Sequence, residues 1–202
     1  MPSVYDLKPA FQNLLRPLCR TLAGAGVTAN QVTVGAMALS LAVGATVALR
    51  PAARWPLLLV PGALLVRMAL NAIDGMLARE HGMKSNLGAV LNEIGDVVSD
   101  SALYLPFALV AGLPAALVTL IVVLSVISEM TGVVAVQIGA SRRYDGPMGK
   151  SDRAFAFGLL ALLLACGLTP GLWSTVLLSI VAALLVVTIA NRGRRALAEV
   201  KR

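Results

Sequence analysis

From residue 31 onward, long apolar blocks alternate with short polar breaks. A helix needs about 20 apolar residues to cross the ~30 Å hydrocarbon core of a bilayer. The blocks predict six transmembrane helices, at about 31–49, 57–79, 88–110, 114–138, 154–168 and from the Pro170–Gly171 turn to about 190. Thr28 and Asn30 offer caps for the first of them. Residues 4–23 follow a different pattern. Phe11, Leu14, Leu15, Leu18 and Leu22 recur at helical spacing with Lys8, Arg16 and Arg20 between them, which suits an amphipathic helix lying on a membrane surface. Pro17 should kink that helix or divide it into two short pieces.

Composition agrees with this reading. The 202 residues are 58% hydrophobic and 13% charged, with a mean hydropathy of +0.83, far less charge than a soluble domain carries. The expected class is therefore all-α and polytopic, a single membrane domain over 1–202. It divides into an interfacial segment at 1–27, a six-helix bundle at 28–190 and a basic cytoplasmic tail at 191–202. No apolar run near the start resembles a signal-peptide core. Cys19 and Cys166 form no paired or zinc-binding motif.

The net charge of +7 bears on topology before it bears on nucleic acid, and no nucleic-acid partner is expected. With both termini inside, fourteen of the seventeen Lys and Arg residues fall on the inner side. Arg50 and Arg54 fall outside, and Arg67 lies within a span. That asymmetry predicts an integral protein of the cytoplasmic membrane with its termini and site on the cytoplasmic face.

The second and third spans carry an unusual load of polar groups. At about 100° per residue, Arg67, Asn71, Asp74 and Ala78 share a face of one helix. Asn92, Asp96 and Asp100 are spaced by four on the next helix, with Glu93 on the same arc. A short loop joins the two helices, so the faces can meet. Intramembrane carboxylates are costly and mark ion, substrate or catalytic sites, although a lone acid near a helix end is more often a packing contact. Converging carboxylates repel unless a cation lies between them, and oxygen donors favour Mg²⁺ or Mn²⁺. His81 reads as a solvated loop residue. Gly75, Ala78 and Gly88 would let a ligand approach the backbone, or would serve close helix packing. Arg79 has the planar fork that clamps phosphate.

The segment resembles the signature of the CDP-alcohol phosphatidyltransferase family, D-x-x-D-G-x-x-A-R, eight residues, G-x-x-x-D-x-x-x-D. Here it reads Asn71, Asp74, Gly75, Ala78, Arg79, then Gly88, Asn92, Asp96. The spacing matches throughout, with Asn at two of the usual Asp positions. The resemblance implies transfer of a phosphatidyl group from a CDP-alcohol, commonly CDP-diacylglycerol, to an acceptor hydroxyl, with release of CMP in phospholipid biosynthesis. It implies one or two Mg²⁺ or Mn²⁺ ions, membrane lipids as surroundings and a homodimer. Carried over, Asn71, Asp74, Asn92 and Asp96 would be the metal ligands and Asp96 the catalytic base. Gly75, Ala78, Arg79 and Gly88 would face the nucleotide.

The two Asn residues open three outcomes: one metal instead of two, recruitment of Glu93 and Asp100 as auxiliary ligands, or a site kept only for binding. In "RRYDGPMGKSDR", Arg142 and Arg143 read as topology determinants. Lys150, Ser151 and Arg153 at a helix start are expected to hold the acceptor, with Lys150 and Arg153 suited to an acidic or phosphorylated one. Glu129 has no motif around it and is given no site role. Two other functions compete: a catalytically inactive nucleotide- or lipid-binding relative, and a small ion transporter. The transporter reading predicts acids spread through the membrane depth, whereas these cluster near one side.

Overall fold

A computed structural model describes residues 4–201, with side chains from residue 10. Lys8 and Arg202, counted above among the basic residues of the two ends, lie outside the described side chains. The described chain is helical: α1 (Val4–Gly24), α2 (Ala29–Leu49), α3 (Trp55–Glu80), α4 (Asn86–Tyr104), α5 (Ala115–Gln137), α6 (Lys150–Ala165) and α7 (Leu172–Val200), with a 3₁₀ turn at Leu105–Leu109.

Helix starts follow local chemistry. Gln31 N–H donates to the Thr28 hydroxyl at 3.3 Å, and Thr28 N–H donates to the Gln31 side chain at 2.9 Å. This reciprocal box satisfies two otherwise orphaned donors at the start of α2. Ser85 caps α4 by accepting from Gly88 N–H at 2.9 Å. After α4 the chain tightens into the 3₁₀ turn, where Pro106 has no N–H for the next α-helical bond. The third apolar block is thus α4 plus this turn.

Four helices, α2, α3, α5 and α7, are long and apolar enough to cross a membrane. The expected six crossings are not reached on that criterion. α4 carries Glu93, Asp96 and Asp100, and α6 is 16 residues long and begins Lys-Ser-Asp-Arg. At 1.5 Å per residue the 29 residues of α7 reach about 44 Å, longer than the ~30 Å core, so its last turns stand beyond the hydrocarbon. The basic end expected as a tail is therefore a continuation of α7.

Two apolar clusters hold the bundle. In one, Tyr104 stacks on Phe157 at 4.2 Å between ring centroids, and Phe107 meets the same ring edge-on at 5.4 Å. Val47, Val60, Ile121, Leu160 and Leu185 close around them. In the other, Cys19 of α1 packs with Val32, Ile73, Met76 and Leu77. α1 is assigned as one helix through Pro17, not as two pieces. The loss is confined to the single bond that a proline cannot donate, and packing on α3 compensates. Leu14 and Leu18 of α1 are exposed, as are Leu58, Leu65, Leu120, Val123 and Val186 on the outer faces. Outward apolar side chains of this kind suit a lipid environment. At Gly44, an added Cβ would collide with the backbone carbonyl of Ala102, so glycine is what lets α2 and α4 approach closely.

Candidate active site

The facing polar surfaces of α3 and α4 do meet. Arg67 is 3% exposed and lies between them. Its Nη1 donates to Asp100 Oδ1 at 2.5 Å, and its Nη2 donates to the Asp96 backbone carbonyl at 3.1 Å. The same Nη2 is 3.6 Å from Asp96 Oδ1. Lys150, the first residue of α6, also donates to Asp96 Oδ1. Both cations address one oxygen. Among the described residues, no donor meets Asp96 Oδ2.

Asp74 is buried, 6% exposed, and accepts from the Thr33 hydroxyl at 2.8 Å. Among the described residues it makes no ion pair. That sets it apart from the other buried carboxylates. Asp100 receives Arg67 and, in a forked contact at 2.7 and 3.1 Å, Arg153. Glu129 receives Arg153 at 2.9 Å, Arg142 at 2.9 Å and Arg192 at 3.4 Å. Burying a carboxylate without a countercharge is costly, so Asp74 is a place where a cation fits.

The auxiliary acids lie elsewhere. Glu93 holds Arg142 through two bonds, at 2.8 and 3.0 Å, and Asp100 is taken by two guanidinium groups. Neither is free to replace the charge missing at Asn71 and Asn92. Among the described residues, no three His, Cys, Asp or Glu side chains gather as a metal-binding group. Of the four expected ligand positions, Asp74 and Asp96 offer carboxylates and Asn71 and Asn92 offer amide oxygens. This set consists of oxygen only, which suits a hard divalent ion.

A cavity of about 900 Å³ opens beside these groups, between α1, α3 and α6. Phe11, Leu14, Leu64 and Met68 line its apolar part; Arg67, Asn71, Arg79, Lys150 and Ser151 line its polar part. Gly75 leaves room for Arg79, since a Cβ there would lie 3.0 Å from its Nη2. The arginine can therefore fold back along α3 toward the polar part.

Three expected site residues sit differently. Arg153 is 1% exposed, committed to Asp100 and Glu129, and does not line the cavity. It is a structural ion-pair partner where the sequence suggested an acceptor contact. Ala78 packs with the cluster beneath α1. At Gly88 a Cβ would approach Asn30 Oδ1 to 2.7 Å, so this glycine serves the close approach of α4 to α2. Asn92 is exposed, and His81 is exposed in its loop.

Glu129 and Arg192 were not anticipated as organising residues. Arg192 is 2% exposed and donates to the Ser128 carbonyl at 2.6 Å. The signal for Glu129 was its setting. A carboxylate inside an apolar helix implies a partner, and Ser125 and Gly132 lie four and three residues from it on α5. Outside the bundle, Asp145 joins Arg143 and Arg195 at 2.7 and 2.6 Å. Burial would raise its pKa, but these arginines hold the carboxyl below its usual range. Glu199 accepts from Ser141 N–H at 2.9 Å and from Arg143 at 2.6 Å. These contacts fasten the end of α7 to the α5–α6 loop, which brings Lys150 to the site.

The sequence profile of CDP-alcohol phosphatidyltransferases matches residues 26–190. The chain belongs to that family. It is 47% identical over 197 residues to the inner membrane protein YnbA of Escherichia coli (strain K12), covering 96% of each chain. It is 36% identical over 99 residues to the phosphatidylinositol phosphate synthase of Mycobacterium marinum, which covers 48% of this chain and 40% of that one. Solved structures of the phosphatidylinositol phosphate synthase of Mycobacterium tuberculosis share the fold. The form in complex with manganese and citrate has a TM-score of 0.75 at 21% identity, covering 90% of this chain and 88% of that one. The form with CDP-DAG bound has a TM-score of 0.74 at 22% identity, covering 91% and 92%. Family membership makes this a protein of the transferase type associated with membranes and phospholipid synthesis.

Proposed function

We propose that this chain is an active CDP-alcohol phosphatidyltransferase, using CDP-diacylglycerol or a related CDP-alcohol as donor. The observation that carries the reading is Asp74. It is a buried carboxylate that makes no ion pair among the described residues, three residues from Asn71, which lines the polar part of a large amphipathic cavity. The apolar wall formed by Phe11, Leu14, Leu64 and Met68 suits the acyl chains of a lipid donor. Arg79 suits its pyrophosphate. Support comes from the mycobacterial synthase of the same fold, whose structure holds CDP-DAG.

A divalent ion, Mg²⁺ or Mn²⁺, would be held by Asp74 and Asp96, with the amide oxygens of Asn71 and Asn92 completing the set. When bound it supplies charge stabilisation at the pyrophosphate. Asp74 is the carboxylate of this set that makes no ion pair among the described residues, whereas Asp96 already meets Lys150 and Arg67, so a single ion suits this donor set better than two. Asp96 Oδ2 takes the proton of the acceptor hydroxyl. The hydroxyl oxygen forms a bond to the phosphorus that carries the lipid, the pyrophosphate P–O bond breaks, and CMP leaves with that oxygen. Lys150 and Arg67 hold the other oxygen of Asp96 and so fix the carboxylate's orientation. Lys150 and Ser151, at the cavity edge, are placed to meet the acceptor.

The positive-inside asymmetry supports a site and termini on the cytoplasmic face of an inner membrane, with α1 at the interface as part of the same proposal. A homodimer is proposed from family membership alone. The test is metal removal. Chelation should abolish CMP release from CDP-diacylglycerol, and Mg²⁺ or Mn²⁺ should restore it. Release that persists in excess chelator would reject the proposed role of Asp74.

A further inference from the structure

The loop between α5 and α6 sets where Lys150 stands, and three residues on one face of α7 hold that loop. Thr188, Arg192 and Arg195 follow one another at helical spacings of four and three. Arg195 pairs with the Asp145 carboxylate at 2.6 Å, and Arg192 Nε donates to the Asp145 carbonyl at 3.3 Å. Thr188 takes the next stretch of loop. Its hydroxyl accepts from Met148 N–H at 2.9 Å. The hydroxyl proton is engaged elsewhere, donating to the Leu184 carbonyl at 2.8 Å within α7. Thr188 and Met148 are both buried, so removing the hydroxyl would leave the Met148 N–H without a partner.

Gly146 makes the contact close. Its φ is +126°, a conformation that side chains rarely adopt, and a Cβ there would lie 2.8 Å from Thr188 Cα. The loop backbone thus rests directly on α7. Only Gly149 separates Met148 from Lys150, the first residue of α6. Gly149 is itself tied down, since its N–H donates to Asp152 Oδ2 at 2.9 Å. Arg153 reaches back from the start of α6 to the Met148 carbonyl at 3.5 Å. Met148 is therefore held through both its N–H and its carbonyl. Two residues on, Lys150 Nζ is delivered to Asp96 Oδ1.

We infer that Thr188 is a positioning residue of the transfer reaction. It does not line the cavity. It acts through the Met148 backbone and Lys150 to keep the Asp96 carboxylate in place. The inference rests on the transferase reading above and extends it to a residue of the last helix. The setting "LVVTIAN" does not mark Thr188 as special. A threonine in an apolar helix ordinarily bonds back to its own helix. Thr188 does so and accepts from the loop as well.

The full-length protein in lipid nanodiscs, with CDP-diacylglycerol and Mn²⁺, provides the test; glycerol, inositol and glycerol 3-phosphate are offered as acceptors. Thr188→Val keeps the shape and removes the accepting oxygen. CMP release per folded protein should fall about ten- to a hundredfold, the scale of loss when a reacting group is displaced by about 1 Å. The KM for CDP-diacylglycerol should hold. Thr188→Ser returns the oxygen and should return the rate. In a Lys150→Met background, Thr188→Val should cause no further loss. A rate equal to the parent's, or losses that multiply, overturns the inference. Gly146→Ala strains the same contact from the loop side and should behave alike, which serves if Thr188→Val does not fold. Independently of turnover, acetic anhydride labelling of Lys150, read by mass spectrometry, should be faster in Thr188→Val than in the parent and approach the rate in Asp96→Asn. An unchanged labelling rate overturns the inference. Silence with every acceptor would count against the transferase reading, while the labelling still decides whether Thr188 holds Lys150 on Asp96.

Discussion

Asp74→Asn is expected to lower metal-dependent CMP release by at least about two orders of magnitude, the effect of losing about 3 kcal/mol of transition-state stabilisation. Two of the four family ligand positions here are already uncharged, at Asn71 and Asn92. Asp74 and Asp96 therefore carry the whole negative charge of the donor set. Asn at position 74 keeps the shape and an oxygen able to accept from Thr33, so the fold should survive. Mn²⁺ affinity, followed by the electron paramagnetic resonance of the free ion, should fall together with CMP release. Unchanged metal affinity would show that the ion is held elsewhere.

The second large effect is on stability. Glu129→Ala should destabilise the protein by roughly 3–5 kcal/mol, the range for removing one partner of a buried ion pair. The cost is high because one carboxylate serves three guanidinium groups, those of Arg142, Arg153 and Arg192. Two of these, Arg153 and Arg192, are almost fully buried. Thermal unfolding of the purified protein in detergent gives the measurement. A variant as stable as the parent would mean that these arginines find other partners. Glu93→Gln is a useful contrast. Glu93 is partly exposed and serves Arg142 alone, which Glu129 also holds.

Much of the fold could be read from the hydrophobic pattern, because the period and length of an apolar block report directly on a membrane helix. Thr28 pointed to the start of α2, whereas α4 begins at Asn86, two residues before the expected start, because Ser85, not singled out in the sequence, caps it. Long-range pairing was less legible. The spacing of Arg67, Asn71 and Asp74 placed them on one face of α3, and that of Asn92, Asp96 and Asp100 placed them on one face of α4. Spacing does not say which acid meets which cation. Glu93 and Asp100 share an arc with Asp96, yet they are drawn to Arg142, Arg67 and Arg153. Two of those arginines come from beyond α5, in the loop and at the start of α6. Arg153 looked like a ligand contact because it stands at a basic helix start, but the Glu129 side chain of α5 reaches it. Arg192 looked like part of a solvated tail because the apolar block ends near residue 190. The helix itself does not end there, since Asp145 and Arg143 of the α5–α6 loop pair with Arg195 and Glu199 and give its polar extension a place to dock.

The same pairings bear on how the two Asn residues are tolerated. An enzyme that recruited Glu93 and Asp100 to its metal would have to leave Arg142, Arg67 and Arg153 without countercharge. The chain instead uses these acids to hold α3, α4, α5 and α6 together around Asp96. The proposed metal site is correspondingly smaller, with two carboxylates, one of which is also the proposed proton acceptor.

The most direct test of the central claim is CMP release from CDP-diacylglycerol by the purified protein with Mn²⁺, compared with Asp96→Asn under the same conditions. Asp96 is the carboxylate proposed to take the acceptor's proton, and general-base catalysis contributes typically 10²–10⁴-fold. The expected result is metal-dependent release with an acceptor alcohol, reduced by at least about a hundredfold in the variant. Equal release by the two proteins would contradict the assigned role of Asp96. Tight nucleotide binding with no release from either would mean that Asn71 and Asn92 mark a site kept for binding alone.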